Sequence, residues 1–387
     1  MKKKERTLEE RIELRKKRAE KKKQKKNTFW KILLAVILLA LLCLGIGFLY
    51  QSGLFSAPGQ AEPVYYTPAQ HISGVSLKNT YYLTTIDGLK SVNALGKDVA
   101  HDVNSTISPF IRAMQEPVYL TSEKTILAYD ISGTTALLFD ESGIIAPLSF
   151  DKEIIRADMN EKGQFVMILH EDGSKAAVKV YNEYGNELYT WYSGTGYVVD
   201  AKINPKTDMM AVLTNDVSGG GITSKMLFFR LDTEEPVRGQ VIGDKMGVAV
   251  SYTDQYALIL CTNGLYLMTD SGELSLLTQF GDRKLKQFDT FTNGSVLLCF
   301  ENSVSENYLC EVYDKKGRKT DSFSLDAFLK IGDISKDKFL AYKRKEILNV
   351  SKNGKILDSE LMDFEIKDAT YFKNKIAVIG QERMVLR

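Results

Sequence analysis

A repeated unit fills the chain from about residue 63 to its end, and this repeat restricts the fold more than any other feature. Successive spacings of 44, 39, 44, 48, 39, 43 and 37 residues, averaging 42, separate short turns that precede hydrophobic strands. These turns lie near Asn79, Glu123, Lys162, Lys206, Asp254, Asn293, Lys336 and Lys373. Apolar, β-branched and Tyr-rich runs of four to seven residues alternate with Asn/Asp/Gly/Lys clusters, which indicates strands rather than helices.

Each unit has room for four strands. A second recurring element is a strand that ends in an acidic or polar turn with glycine, as in FDESG (139–143), YNEYG (181–185), MTDSG (268–272), YDKKG (313–317) and VSKNG (350–354). Residues 285–324 contain four strand patterns in succession. A period near 42 residues with four strands is typical of a β-propeller blade, because stacking blades around an axis buries the faces that a single sheet leaves open.

The sequence therefore predicts an all-β fold, a β-propeller of eight blades. The alternative is seven blades, if residues 71–105 form one irregular unit. The last unit ends after three strands at Arg387, and the segment 63–67 stands alone before the first unit. Pairing 63–67 with Met384–Leu386 closes the ring and removes two exposed strand edges.

The first 50 residues predict membrane attachment. Residues 29–50 contain one charge, Lys31, and at 1.5 Å per residue they span roughly 33 Å, enough for a bilayer core. Residues 1–28 hold 14 Lys and Arg against 5 Asp and Glu, which favours a cytoplasmic N-terminus. We expect a cytoplasmic tail (1–28), a single transmembrane helix (29–50), a linker (51–62) and an extracytoplasmic propeller (63–387) at the plasma membrane. A cleaved signal peptide is the alternative.

Charge separates the tail from the body. Residues 51–387 carry 36 basic and 44 acidic side chains, which argues against a chain that is basic throughout and coats nucleic acid. We expect no nucleic-acid partner. The basic tail fits attraction to anionic inner-leaflet lipid, or it serves only as an orientation signal.

One blade carries a turn that is familiar from other propellers. YNEYGNELYTW (181–191) is close to the D-x-x-G-x-x-x-W turn of quinoprotein-like propellers and of propellers that assemble the bacterial outer membrane. As a whole, the basic tail, the apolar segment and the Tyr-rich D/N-x-x-G repeats resemble an uncharacterised family of single-pass membrane propellers of Gram-positive bacteria. The resemblance implies a WD40-like or quinoprotein-like fold and carries no catalytic residues with it.

Motifs for chemistry are scarce. His71, His101 and His170 match no zinc spacing, and neither a G-x-S-x-G nor a phosphate-loop motif occurs. We therefore expect no metal, no cofactor and no enzymatic activity. Cys299 and Cys310 face each other if they share a hairpin. They then form either a disulfide or two buried free thiols, and both alternatives stay open.

A ring of charged residues is the candidate site. Counting back from each inner-hairpin turn into the preceding strand gives two Val positions, Val75 and Val250, and six charged ones: Arg112, Arg156, Asp200, Asp289, Asp333 and Asp368. Equivalent inner-strand positions of a propeller meet around its channel. This predicts a channel-mouth binding site for a zwitterionic or peptidic group, or else a set of mutually paired polar residues.

We expect a non-enzymatic scaffold or adaptor that binds an unidentified cell-envelope protein, because a propeller presents many loops on a rigid disc. Two alternatives remain open. The first is an extracellular hydrolase or lyase acting at the channel mouth through Asp289 and Asp333. The second is a ligand sensor that signals inward.

Overall fold

The protein is described by a computed structural model covering residues 61–217, 220–302 and 304–387. These residues all belong to one compact unit, Gln60–Arg387. The predicted tail and transmembrane helix, and nearly all of the linker, lie outside the described residues. Within the described ranges, no helix is both long and apolar enough to cross a membrane.

Seven sheets have four strands and one has three, which makes eight blades. Blade 1 contains β2 Gly74–Leu77, β3 Thr80–Thr85 and β4 Gly88–Val92. Blade 2 contains β5 Pro117–Thr121, β6 Ile126–Asp130, β7 Thr135–Asp140 and β8 Gly143–Ser149. Blade 3 contains β9 Ile154–Met159, β10 Phe165–Leu169, β11 Ala176–Tyr181 and β12 Glu187–Ser193. Blade 4 contains β13 Tyr197–Ile203, β14 Met209–Asp216, β15 Thr223–Arg230 and β16 Arg238–Gly243.

The second half repeats this plan. Blade 5 contains β17 Gly247–Thr253, β18 Tyr256–Cys261, β19 Gly264–Thr269 and β20 Leu274–Gln279. Blade 6 contains β21 Leu285–Thr290, β22 Val296–Glu301, β23 Asn307–Tyr313 and β24 Lys319–Asp326. Blade 7 contains β25 Lys330–Ile334, β26 Lys338–Tyr342, β27 Glu346–Ser351 and β28 Ile356–Leu361. Blade 8 contains β29 Asp368–Phe372, β30 Lys375–Ile379, β31 Arg383–Leu386 and, from the start of the described chain, β1 Val64–Tyr65.

The ring is closed by contacts between the first and last blades. The first strand of each blade lies nearest the axis, and β29 of blade 8 contacts β2 of blade 1. Strand β1 pairs antiparallel with β31, with Val64 opposite Met384 and Tyr65 opposite Arg383. Eight blades are confirmed, and the segment before the first unit completes the last blade.

Each interface between neighbouring blades contains one apolar cluster. Between blades 6 and 7, for example, Leu297, Phe339 and Val350 are fully buried. The side chains of each strand alternate between the two neighbouring interfaces, because successive residues point to opposite faces of a sheet. This is why the middle strands are apolar at nearly every position.

The polar–glycine turns connect the third and fourth strands. In blade 6, Asp314 Oδ1 accepts hydrogen bonds from the backbone N–H groups of Lys316 (2.9 Å) and Arg318 (3.0 Å), and Gly317 adopts φ +80°. A residue with φ in this region creates a bulge where the hairpin ends, and glycine adopts it without steric cost. The same turn in blade 3 uses Asn182 and Gly185 (φ +81°).

Blade 1 departs from the all-β expectation. Its fourth strand is replaced by a helix, α1 (His101–Ala113), that packs against β4. Ile107 and Ile111 on α1 are buried in the cluster shared by blades 1 and 2. The four-residue spacing of Val103, Ile107 and Ile111 is a helical signal, but Pro109 and the Ser/Thr residues around it obscure it.

Candidate functional site: the central channel

Five of the six predicted site residues lie on first strands around the channel: Arg156 on β9, Asp200 on β13, Asp289 on β21, Asp333 on β25 and Asp368 on β29. Arg112 does not. It is an exposed residue in the last turn of α1 and takes no part in the channel. The prediction for Arg112 was wrong because Arg112 lies eleven residues before Glu123, whereas the other five lie three to six residues before their turns. The count back from Glu123 therefore passed over the whole of β5, the first strand of blade 2, and ended in α1.

Asp200 connects three blades. Its carboxylate accepts hydrogen bonds from the backbone N–H of Ala201 (3.1 Å) and from that of Val250 in the next blade (2.9 Å). Arg156 Nε of the preceding blade lies 3.3 Å from Asp200 Oδ1. With 1% of its side chain exposed, Asp200 is a buried carboxylate whose acceptor sites are occupied by protein groups.

The other three aspartates repeat the local part of this arrangement. Asp289, Asp333 and Asp368 each accept a hydrogen bond from the N–H of the following residue, at 2.7, 2.7 and 2.9 Å. Asp333 also reaches the next blade, where the N–H of Tyr371 donates to its Oδ2 at 2.8 Å. In blades 4 and 7, therefore, the aspartate links neighbouring first strands.

Sequence reasoning missed two channel residues, Asp158 and Lys202. They form an ion pair, and Lys202 Nζ also lies 3.9 Å from Asp200 Oδ1. Each lies two residues after a predicted site residue on the same strand. Because residues two apart in a strand share a face, extending the pattern from Arg156 and Asp200 by two positions would have found both.

The charges of this half of the channel compensate one another. Burial raises the pKa of Asp158, although Lys202 opposes that shift. Burial also acts to lower the pKa of Lys202, but Asp158 and Asp200 outweigh it and the pKa lies above its ordinary value. Blades 3 and 4 thus place two cations, Arg156 and Lys202, and two carboxylates, Asp158 and Asp200, in one network.

The opposite half is acidic. Asp289, Asp333 and Asp368 form no ion pair with the described residues, and burial raises the pKa of each. The carboxylate of Asp333 further raises the pKa of Asp289 and of Asp368. Lys330 lies near enough to Asp368 to oppose its shift. On one side of the channel, in blades 3 and 4, the charges are paired. On the other side, in blades 6 to 8, three carboxylates lie without an ion-pair partner among the described residues.

Two cavities open along the channel. One of about 640 Å³ is lined by the first strands and inner hairpins of blades 3 to 6, including Asp158, Lys202 and Asp289. The other, of about 430 Å³, lies among blades 1, 2, 7 and 8 and is lined by Ser76, Asp333 and Asp368. Both volumes are in the range of small-molecule sites.

Another carboxylate at the larger cavity joins blades 4, 5 and 6. Asp254, in the inner hairpin of blade 5, pairs with Lys206 (2.6 Å) and with Lys315. These two hydrogen bonds lower the pKa of Asp254. The hairpins that surround the cavity are thereby connected through one residue.

No group of His, Cys, Asp and Glu side chains in the described ranges is arranged to hold a metal ion. The three histidines stay apart, before β2, on α1 and after β10. Trp191, from the quinoprotein-like turn, packs against Phe229 of blade 4 with ring centroids 4.8 Å apart. It contributes to the apolar interface between blades 3 and 4.

The rim of blade 3 carries a second notable surface. Tyr184, Leu188 and Tyr192, in the last turn and outer strand of this blade, expose 64%, 46% and 55% of their surface. We call these three residues the blade 3 strip. At about 3.3 Å per residue, Leu188 and Tyr192 lie roughly 13 Å apart along β12.

Solved propellers resemble this fold. A quinohemoprotein alcohol dehydrogenase from Comamonas testosteroni has a TM-score of 0.52 at 8% identity, over 84% of this chain and 73% of that chain. A eukaryotic initiation factor has a TM-score of 0.52 at 9% identity, over 83% and 84%. BamB from Moraxella catarrhalis has a TM-score of 0.47 at 10% identity, over 85% and 98%. At such identities the likeness concerns the fold alone.

Sequence comparison identifies a family. No curated protein matches the chain. The model of a family of unknown function, DUF5711, matches residues 111–385, from the end of α1 to β31. This match covers more than half of the 387 residues. The chain therefore belongs to the DUF5711 family.

Proposed function

We propose that this protein is a non-enzymatic, membrane-tethered scaffold whose propeller binds a cell-envelope protein through its rim. The blade 3 strip is the observation that carries the proposal. Tyrosine is enriched at protein interfaces, because it combines a large apolar surface with a polar tip and loses little conformational entropy. Two exposed tyrosines and a leucine along one outer strand form a surface of that kind.

The hydrogen bonds and ion pairs of the channel favour the rim over the channel mouth as the binding surface. Asp200 and Asp333 accept hydrogen bonds from two backbone N–H groups each, and Asp158 is paired with Lys202. A ligand that drew on these groups would have to break contacts that join neighbouring blades. Side chains of the rim bind a partner at no such cost.

The tether is proposed from the sequence. The 22 apolar-rich residues 29–50 and the basic residues before them favour a membrane span with a cytoplasmic N-terminus. The propeller then lies on the outer side of the plasma membrane, and the basic tail meets anionic lipid of the inner leaflet. Protease shaving of intact cells tests this arrangement, since only an exported propeller is digested without lysis.

Crosslinking in intact cells followed by capture of the full-length protein tests the rim. The variant Tyr184→Ser/Leu188→Ser/Tyr192→Ser should lose a stoichiometric envelope protein that the unchanged protein captures. The matched control is Leu357→Ser/Leu361→Ser on β28, the exposed outer strand of blade 7. Both variants must show unfolding midpoints like that of the unchanged protein. Equal capture by all three proteins would refute the role of the blade 3 strip.

The acidic half of the channel favours a second candidate, a hydrolase or lyase. Asp289 and Asp333 are neighbouring carboxyls with raised pKa values, and one of them can hold a proton while the other is ionised. A screen of wall and peptide substrates should then show turnover that Asp289→Asn and Asp333→Asn abolish. Turnover that survives both substitutions would exclude this mechanism.

A further inference from the structure

Blade 6 contains a pair of cysteines whose positions have a chemical consequence. Cys299 on β22 and Cys310 on β23 are direct cross-strand partners, and their Sγ atoms lie 2.6 Å apart. Both side chains are fully buried in the cluster between blades 6 and 7. The neighbours of this pair are apolar, including Leu297, Val312 and Phe339.

The backbone geometry of such a pair suits a covalent bond. Directly opposed residues of antiparallel strands have Cα atoms about 4.5 or 5.5 Å apart, and disulfides span Cα distances of about 4.4–6.8 Å. We propose that Cys299 and Cys310 form a disulfide that joins the two middle strands of blade 6. This bond is independent of the proposed rim interface, and it goes beyond the scaffold function.

The reaction is an oxidation of two thiols by thiol–disulfide exchange. The thiolate of one cysteine attacks a disulfide of an exchange partner and forms a mixed disulfide. The second cysteine then displaces the partner's sulfur. The Sγ–Sγ bond forms, and the partner leaves as a dithiol that has gained two electrons and two protons.

Burial determines when this exchange takes place. Desolvation, together with the adjacent Cys310 thiol, raises the pKa of Cys299 far above its ordinary value. The folded blade therefore holds almost no thiolate for attack. Exchange must occur while the β22–β23 hairpin is open, during folding, and packing of blades 6 and 7 then protects the bond.

Cys261 in blade 5 is a built-in control. It is equally buried, and its cross-strand partners are Gly247 and Gly264, so it has no thiol opposite it. Burial raises its pKa to about 12. We expect Cys261 to stay a thiol under conditions that oxidise the pair.

The test refolds full-length protein in a mixture of oxidised and reduced glutathione and blocks free thiols with a maleimide under denaturing conditions. Trypsin leaves both cysteines in the fragment 287–315, and a glutamyl endopeptidase then cuts after Glu301 and Glu306. Mass spectrometry without reduction should find the two cysteine fragments joined and Cys261 alkylated. Alkylation of both Cys299 and Cys310 under these conditions would overturn the proposal.

Thermal unfolding provides the second readout. From the chain-entropy model for so short a loop, we expect the melting temperature of the oxidised protein to lie about 5 °C above that of the reduced protein. Reductant should not shift the midpoint of Cys299→Ala/Cys310→Ala, whereas Cys261→Ala should respond to it like the unchanged protein. A reductant shift that persists in the double variant would assign the effect to another site.

Discussion

Residue scale. The aspartates of the first strands combine a local contact with a longer one. Within residues 61–217, 220–302 and 304–387, Asp289 and Asp368 bond only to the N–H of the next residue, whereas Asp200 and Asp333 also accept from the following blade. A carboxylate accepts several hydrogen bonds at once, so one side chain can satisfy N–H groups on two neighbouring first strands. The recurrence of aspartate near this position is thus explained by backbone satisfaction.

We expect Asp200→Ala to lower the free energy of unfolding by about 3 kcal/mol, because it leaves two backbone N–H groups and Arg156 without their acceptor. The matched control is Asp358→Ala. Asp358 accepts from the N–H of Ser359 in the same way, but it is exposed and bonds to no second blade among the residues that the structure describes. Urea unfolding followed by Trp fluorescence measures both, and equal losses would contradict the inter-blade role.

The pH dependence of stability should differ between the unchanged protein and Asp289→Asn, which removes one carboxylate from the acidic half of the channel. Burial raises the pKa of Asp289, so its proton is held more tightly in the folded than in the unfolded state. The unchanged protein should therefore lose stability relative to Asp289→Asn as pH rises from the ordinary aspartate pKa of about 4 through the raised value.

Asp254→Asn is the contrasting variant, since Lys206 and Lys315 lower the pKa of Asp254. The stability contributed by Asp254 should be present above its unfolded pKa and be lost as pH falls through its folded pKa. Urea midpoints measured across this range should change in opposite directions for the two variants. Parallel curves would contradict the raised pKa of Asp289 in the folded protein.

Element scale. Helix α1 shows how a propeller tolerates the replacement of a strand. An outer strand adds apolar side chains to the interface with the neighbouring blade. An amphipathic helix does the same with one apolar stripe. Ile107 and Ile111 meet Phe139 of blade 2 within one cluster, so α1 contributes to the interface that a fourth strand would have made.

Ile107→Ala should lower the free energy of unfolding by about 3 kcal/mol, because Ile107 is fully buried and its loss leaves a cavity. Phe110→Ala removes a larger side chain from the exposed face of the same helix and should cost less than about 1 kcal/mol. Denaturant unfolding of both variants provides the comparison. A greater loss for Phe110→Ala would mean that α1 packs through another face.

Whole molecule. Closure of the ring depends on a strand that comes from the beginning of the described chain. Besides the β1–β31 pairing, the N–H of Tyr66 donates to Glu382 O (3.1 Å) and its hydroxyl donates to Gly380 O (2.7 Å). Val64 is buried in the interface between blades 8 and 1. The short β1 thus covers the edge of β31 and fills the last apolar interface.

Deletion of residues 1–66 should destabilise the propeller by about 3–5 kcal/mol relative to deletion of residues 1–60, which keeps β1. The estimate adds the burial of one Val side chain to the loss of several hydrogen bonds. Limited proteolysis and urea unfolding measure the difference, and the uncovered β31 edge should also promote aggregation. Equal midpoints would show that three strands suffice for blade 8.

Much of this architecture follows from the sequence. Turn spacing predicted eight blades, and the four strand patterns in 285–324 correspond to β21–β24. The assignment of Arg112 failed because the count back from Glu123 ran eleven residues, past β5 and into α1, whereas three to six residues reach the first strand in the other blades. Asp158 and Lys202 were missed because single positions were compared, although strand periodicity links them to Arg156 and Asp200.

The sequence by itself determined the repeat, the strand order within each blade and the pairing of β1 with β31. These depend on local patterns of apolar residues and turns, which act over a few residues. Only the tertiary structure decided which charges meet. Whether Asp200 accepts from Val250, or Lys202 pairs with Asp158, depends on the stagger between neighbouring first strands. That stagger is set by packing between blades 40 to 50 residues apart, and no local pattern encodes it.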